Sequence, residues 1–171
     1  GLTGQYLITN QIGGNWCRFW FNEGSPGEKG LGSLGGAGQG KITYHLNSAA
    51  RTVLAVTKRE DDGKELMFGK AYLKKTFQDP KKKSFDRVVN WSKINPQQEP
   101  LPEDDPSCIK EFKKLFNLTR KSNGTSLVIP FVNKDAFTTK NIMKALVSEY
   151  YSLFIYENFS ATVNGQSIDA D

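Results

Sequence analysis

Cysteine, histidine and methionine are scarce: the 171 residues hold two Cys, one His and two Met. Cys17 and Cys108 make no disulfide framework, and one histidine without a Cys-x-x-Cys gives no metal-site pattern. No apolar run reaches about 18 residues, so no membrane span is read, and no signal peptide is visible. The expected setting is therefore intracellular, in the cytoplasm. The sequons at Asn117, Asn123 and Asn158 would go unread there. Charge of one sign is also in short supply. The net charge is +5, and much of the excess sits in Lys74-Lys75 and Lys81-Lys82-Lys83, which reads as a solvated loop. Hydrophobic residues at 37% and charged residues at 24% exclude a disordered chain, and the length suits one domain with a real core.

Glycine is abundant in one place. In Gly30-Leu31-Gly32-Ser33-Leu34-Gly35-Gly36-Ala37-Gly38-Gln39-Gly40-Lys41, six of twelve residues are glycine, and a helix-compatible stretch to Ala50 follows. Glycines let backbone N–H groups converge on an anion, and a following helix favours negative charge at its start. As a P-loop the stretch fails. Ile42 stands where a magnesium-binding hydroxyl is needed, and Glu23 to Lys29 is no buried strand. The spacing Gly36-Ala37-Gly38-Gln39-Gly40 fits instead the hinge of a mobile lid that closes over a triphosphate.

That hinge resembles the second glycine box of the GHKL ATPases, the family of gyrase B subunits, the ninety-kilodalton heat-shock chaperone and histidine kinases. Gly1-Leu2 resembles the end of the family's DxGxG box, and Gly124-Thr125-Ser126-Leu127-Val128-Ile129-Pro130 its later Gly-Thr box. Arg51-Thr52-Val53 and Gly69-Lys70-Ala71 match strands of bacterial members in the same order. The resemblance spans nearly the whole chain and implies ATP and Mg2+ as ligands. It assigns Gly35, Gly36, Gly38 and Gly40 to the β and γ phosphates and Thr125 to the adenine, and makes Gly1, the last glycine of the DxGxG box, a nucleotide-binding position. Lys41 is a candidate phosphate contact, because a cation at a helix start is otherwise unfavourable. The family's water-activating Glu, magnesium-ligating Asn and adenine-binding Asp fall before Gly1. The resemblance thus implies the later portion of an ATPase domain within a larger protein.

Along the chain, the aromatic Asn15 to Phe21 reads as a strand packed on the core, with a lid contact as the alternative. Thr52 to Thr57 is β-branched and reads as a buried strand; Asp62-Gly63 turns it into an antiparallel return strand from Glu65 to Leu73. Residues 78–106 hold five of the seven prolines and read as an irregular surface loop, with Val88 to Trp91 as an anchor. Ser107 is placed as the cap of a helix to about Asn117. Ser126 to Phe131 is the next strand. A helix from about Thr139 to Glu157, with its apolar stripe on the sheet, and an Asn164-Gly165 hairpin close the chain. His45, alone on a helix, reads as structural.

The expected fold is α+β, a two-layer sandwich with a mostly antiparallel mixed sheet and helices on one face, as in the Bergerat fold that the resemblance implies. One domain, 1–171, is expected, with lid and glycine box at 10–40. The expected function is ATP binding, with hydrolysis or an ATP-gated switch. Relatives of this kind occur in DNA-handling and phage-defence systems. The alternative is a non-enzymatic module that uses the basic loop Lys74 to Lys83 and the aromatics to contact nucleic acid or a partner protein.

Overall fold

A computed structural model of the chain describes residues 1–4, 14–21, 40–74, 77–78, 80–81, 84–157 and 159–169. They form two compact units, 1–131 and 132–171. The first contains α1 (Asn15–Trp20), α2 (Gly40–Leu46), β1 (Thr52–Lys58), β2 (Glu65–Tyr72), β3 (Phe77–Gln78), β4 (Ser84–Phe85), β5 (Val88–Trp91), β6 (Lys93–Ile94), β7 (Pro100–Leu101), α3 (Pro106–Leu115) and β8 (Gly124–Val128). The second contains α4 (Thr139–Tyr156), β9 (Ala161–Val163) and β10 (Gln166–Ile168).

The organising element of the first unit is the β1–β2 hairpin. β-branched and apolar side chains suit a strand covered on both sides, and Gly63 supplies the positive φ of 69° that the turn requires. The hairpin closes with Arg59 N–H donating to the Lys64 carbonyl at 2.9 Å. β5 and β8 add outside it, giving a four-stranded antiparallel sheet in the order β5-β2-β1-β8. The chain is therefore α+β with an antiparallel sheet, as expected, with the difference that helices cover both faces of the sheet rather than one. Because side chains alternate along a strand, β1 and β2 bury residues on both faces. Val53, Ala55, Leu66 and Phe68 pack with Trp16, Cys17 and Trp20 of α1. Tyr44 of α2 joins them, so α1 and α2 make the helical layer on that face. Leu54, Val56 and Met67 pack with Ile109 and Phe112, so α3 covers the other face.

Three local expectations change. Asn15 to Trp20 is a helix, not a strand: Trp16, Cys17 and Trp20 lie at i, i+1 and i+4, which share a helical face, while Arg18 stays exposed. The core packing expected of this stretch holds. Burial pushes the Cys17 thiol up from its ordinary pKa. Asp105, not Ser107, caps α3. Its carboxylate accepts from Ser107 N–H at 2.8 Å, with Pro106 in the first helical position, where its missing N–H costs nothing. The apolar positions of α2 are not its core face, since Ile42 and Leu46 are exposed and Tyr44 and His45 turn inward. His45 is structural, as expected. Its Nδ1–H donates to the Arg51 carbonyl at 3.3 Å, and its ring meets Tyr72 edge-on at 4.5 Å.

The proline-rich stretch is more ordered than a loop. Val88 to Trp91 is the sheet's edge strand, and Met67 and Glu103 exchange two backbone hydrogen bonds of 2.8 Å. Glu103 and Asp104 share Lys93, at 2.8 and 2.6 Å. The Lys93 ammonium holds both carboxyls below the usual range. In the second unit, Thr138 caps α4 by accepting from Asn141 N–H at 3.2 Å, and a kink falls at Tyr150 (φ −125°, ψ 15°). Phe154, against Phe159 at 5.0 Å, is its buried side chain, and α4 packs on β9 within this unit. Asn164 and Gly165, at φ 49° and 80°, make the expected two-residue turn.

The hairpin end carries a pH dependence. Gly4 N–H donates to Asp61 Oδ2 at 2.9 Å, and Arg59 bonds both Asp61 oxygens at 2.8 and 3.1 Å. Those donors, the Gly4 amide first, hold the Asp61 carboxyl below its ordinary value. A depressed folded pKa stabilises the fold above the unfolded value and loses that stability as pH falls through the folded one. The drop in urea midpoint between neutral and acid pH is therefore expected to be smaller in Asp61→Asn than in the parent. Equal drops would deny Asp61 this role.

Candidate functional site

Two motif segments from opposite ends of the first unit meet at Thr57. Thr57 points to the α1 side of β1, is 1% exposed, and faces Thr125 of β8 directly in register. Their hydroxyl oxygens lie 3.1 Å apart. Leu2 N–H donates to Thr57 Oγ1 at 2.7 Å, and Thr57 O–H reaches the Gly124 carbonyl at 3.3 Å. With the single Thr57 proton given to Gly124, its lone pairs accept from Leu2 and from Thr125. Thr125, half-buried, then keeps acceptor capacity for an incoming N–H, the kind of group an adenine amine offers. Gly1 lies so close that a Cβ there would stand 2.1 Å from the Lys58 carbonyl oxygen.

The segment from Gly1 to Gly4 is fixed on two sides. Arg59 Nη1 donates to the Gly4 carbonyl at 2.8 Å, and Trp16 N–H to the Thr3 carbonyl at 3.0 Å. Arg59 is 5% exposed, and its ion pairs to Asp61 and Asp62 compensate its charge there.

The remaining assigned residues are elsewhere. Gly40 is the first residue of α2, and the Lys41 ammonium donates to the Arg18 carbonyl in the last turn of α1. Gly35, Gly36 and Gly38 lie outside the described residues. Gly1 and Thr125 are thus brought together, and no described contact brings Lys41 to them. Both groups lie toward one face of β1. Val53, at the cavity wall near Lys41, is four residues from Thr57, or roughly 13 Å at the rise of a strand. Trp16, Trp20 and Phe68 fill the face between, so a ligand reaching both would pass over α1.

Thr57 and Arg59 were not singled out by sequence. The available signal was a hydroxyl in the run Val53-Leu54-Ala55-Val56-Thr57, where an inward position should be apolar. Thr57→Val leaves Leu2 N–H and the Thr125 hydroxyl without this partner, and is expected to lower unfolding free energy by about 1–3 kcal/mol. Urea denaturation measures it. A neutral result would mean the junction is solvated rather than bonded.

Among the described residues, no group of three or more His, Cys, Asp or Glu side chains gathers as metal ligands, and no helix is long and apolar enough to cross a membrane. No protein-family model, no curated protein and no solved structure matches the chain.

Proposed function

We propose that this chain binds ATP with Mg2+ as part of a GHKL-type site in a cytoplasmic protein, and that the bound nucleotide is hydrolysed or gates a conformational switch. The observation that carries the reading is the meeting of Gly1-Leu2 with Gly124-Thr125 at the Thr57 hydroxyl. The resemblance assigns those two segments, far apart in sequence, to one nucleotide site. In this reading Thr125 offers its hydroxyl to the base, and Gly35, Gly36, Gly38 and Gly40 offer backbone amides to the phosphates. Lys41 adds positive charge beside them.

The binding-module alternative draws less support. Of the aromatics it would use, Trp16 and Trp20 are in the core, while Trp91 is exposed. Lys74 and Lys81 remain exposed.

A thermal-shift titration with Mg-AMP-PNP, beside ADP, tests the proposal. A saturable shift is expected, lost in Gly40→Val without a change in the unliganded midpoint. A silent titration together with a salt-sensitive affinity for nucleic acid would overturn the reading in favour of the module.

A further inference from the structure

A cavity of about 250 Å³ lies between α1, α2 and the β1–β2 sheet. Its walls are mostly apolar, with Phe19, Trp20, Tyr44, Val53 and Tyr72 among them. Lys41, Arg51 and Lys70 also line it, and no Asp or Glu does among the described residues. Two of these cations serve α1. Lys41 donates to the Arg18 carbonyl, and the buried Lys70 to the Trp20 carbonyl at 2.9 Å, satisfying oxygens that the last turn of a helix leaves over.

Arg51 differs. Its backbone is held at φ 49°, a conformation rare outside glycine and asparagine. Three hydrogen bonds fix it there: its N–H to the Ser48 carbonyl at 2.8 Å, and its own carbonyl from Tyr72 N–H at 3.0 Å and His45 at 3.3 Å. The guanidinium has no hydrogen-bond or ion-pair partner among the described residues.

Size limits the ligand. At about 250 Å³ it lies just below the range of drug-sized pockets, which suits a small ligand. We infer that the cavity is a binding site for a small apolar carboxylate, an aryl or short alkyl acid, whose carboxylate pairs with the Arg51 guanidinium and whose body lies against Trp20 and Tyr72. The planar fork of an arginine matches a carboxylate with two parallel hydrogen bonds. An anion there meets the charges of Arg51, Lys41 and Lys70 with no carboxylate among the described lining residues, and the apolar walls suit the body of an organic acid better than a hydrated phosphate. The inference shares Lys41 with the ATP reading but does not depend on it.

Phenylacetate, titrated against the whole chain by tryptophan fluorescence and saturation-transfer NMR, tests it. Saturable binding is expected, with phenylacetamide at least tenfold weaker, as the loss of one charge-assisted pair implies. Arg51→Gln should bring phenylacetate down to the level of the amide while the unliganded thermal midpoint stays unchanged, because the side chain it removes bonds nothing in the fold. Phenylacetate should bind equally with and without Mg-AMP-PNP. No saturable binding at millimolar ligand, equal affinity for acid and amide, or an unaffected Arg51→Gln would overturn the assignment. Competition by Mg-AMP-PNP would overturn it as well, by making the cavity part of the nucleotide site.

Discussion

Trp16→Ala is expected to lower the unfolding free energy of the chain by about 3–5 kcal/mol, the usual cost of emptying a core site of this size. Trp16 is 1% exposed. Its ring stands edge-on to Phe68 at 5.6 Å and tilted to Trp20 at 6.1 Å, contacts that aromatic quadrupoles favour. It also fastens α1 to β1 and β2 on one sheet face. Removing it leaves a hole bounded by stiff rings and buried strand residues, which cannot collapse far. Domain stabilities are commonly 5–15 kcal/mol, so the variant should sit close to unfolding, with its urea midpoint sharply lowered. A loss below about 1 kcal/mol would mean that α1 is not packed in solution. The stretch Asn15 to Phe21 would then return to the role of a lid element, the alternative its position in the sequence suggests.

What could be read from the sequence was local chemistry with one solution. The run Thr52 to Thr57, Asp62-Gly63, and Asn164-Gly165 each specify strand or turn through β-branching or positive φ, and each is where expected. The capping error at α3 arose between two neighbouring residues that both accept hydrogen bonds; Pro106 decides for Asp105 because it prefers the first helical turn. Asn15 to Phe21 was ambiguous for a different reason. Four of its seven residues are aromatic and they fall in two runs, so neither a two-residue nor a 3.6-residue period stands out, and only the exposure of Arg18 and the burial of Trp16, Cys17 and Trp20 resolve it. The candidate site was legible as motifs and not as geometry. Gly1 and Thr125 were named, but the residue that joins them, Thr57, matters only through its register with β8, a pairing between distant strands. Arg51 opens the Arg51-Thr52-Val53 motif. Its left-handed backbone is imposed by Ser48, His45 and Tyr72, and nothing in an arginine announces it.

Gly69 is the case where a motif acquires a physical reason. Gly69-Lys70-Ala71 was read as part of a family pattern, and glycine inside a strand ordinarily weakens it. Here Leu54, Gly69 and Trp91 form one row across β1, β2 and β5. A Cβ on Gly69 would meet Leu54 Cδ2 at 2.4 Å and Trp91 Cβ at 3.0 Å, so the neighbours have closed over the space a side chain would take. Both reach α3: Leu54 packs in the cluster of Ile109 and Phe112, and Trp91 meets the Phe112 ring at 5.8 Å. Gly69→Val therefore overpacks this face and is expected to cost about 1–3 kcal/mol, at the upper end because two neighbours must move together. Gly69→Ala should cost less, since the tip of Leu54 can turn and the unfolded chain loses entropy that favours folding. A double-mutant cycle by urea denaturation separates packing from backbone preference. In a Leu54→Ala background the space is open, and Gly69→Val should lose much of its cost. If the penalty is the same in both backgrounds, the glycine is required by the strand itself, and Leu54 and Trp91 merely happen to lie above it.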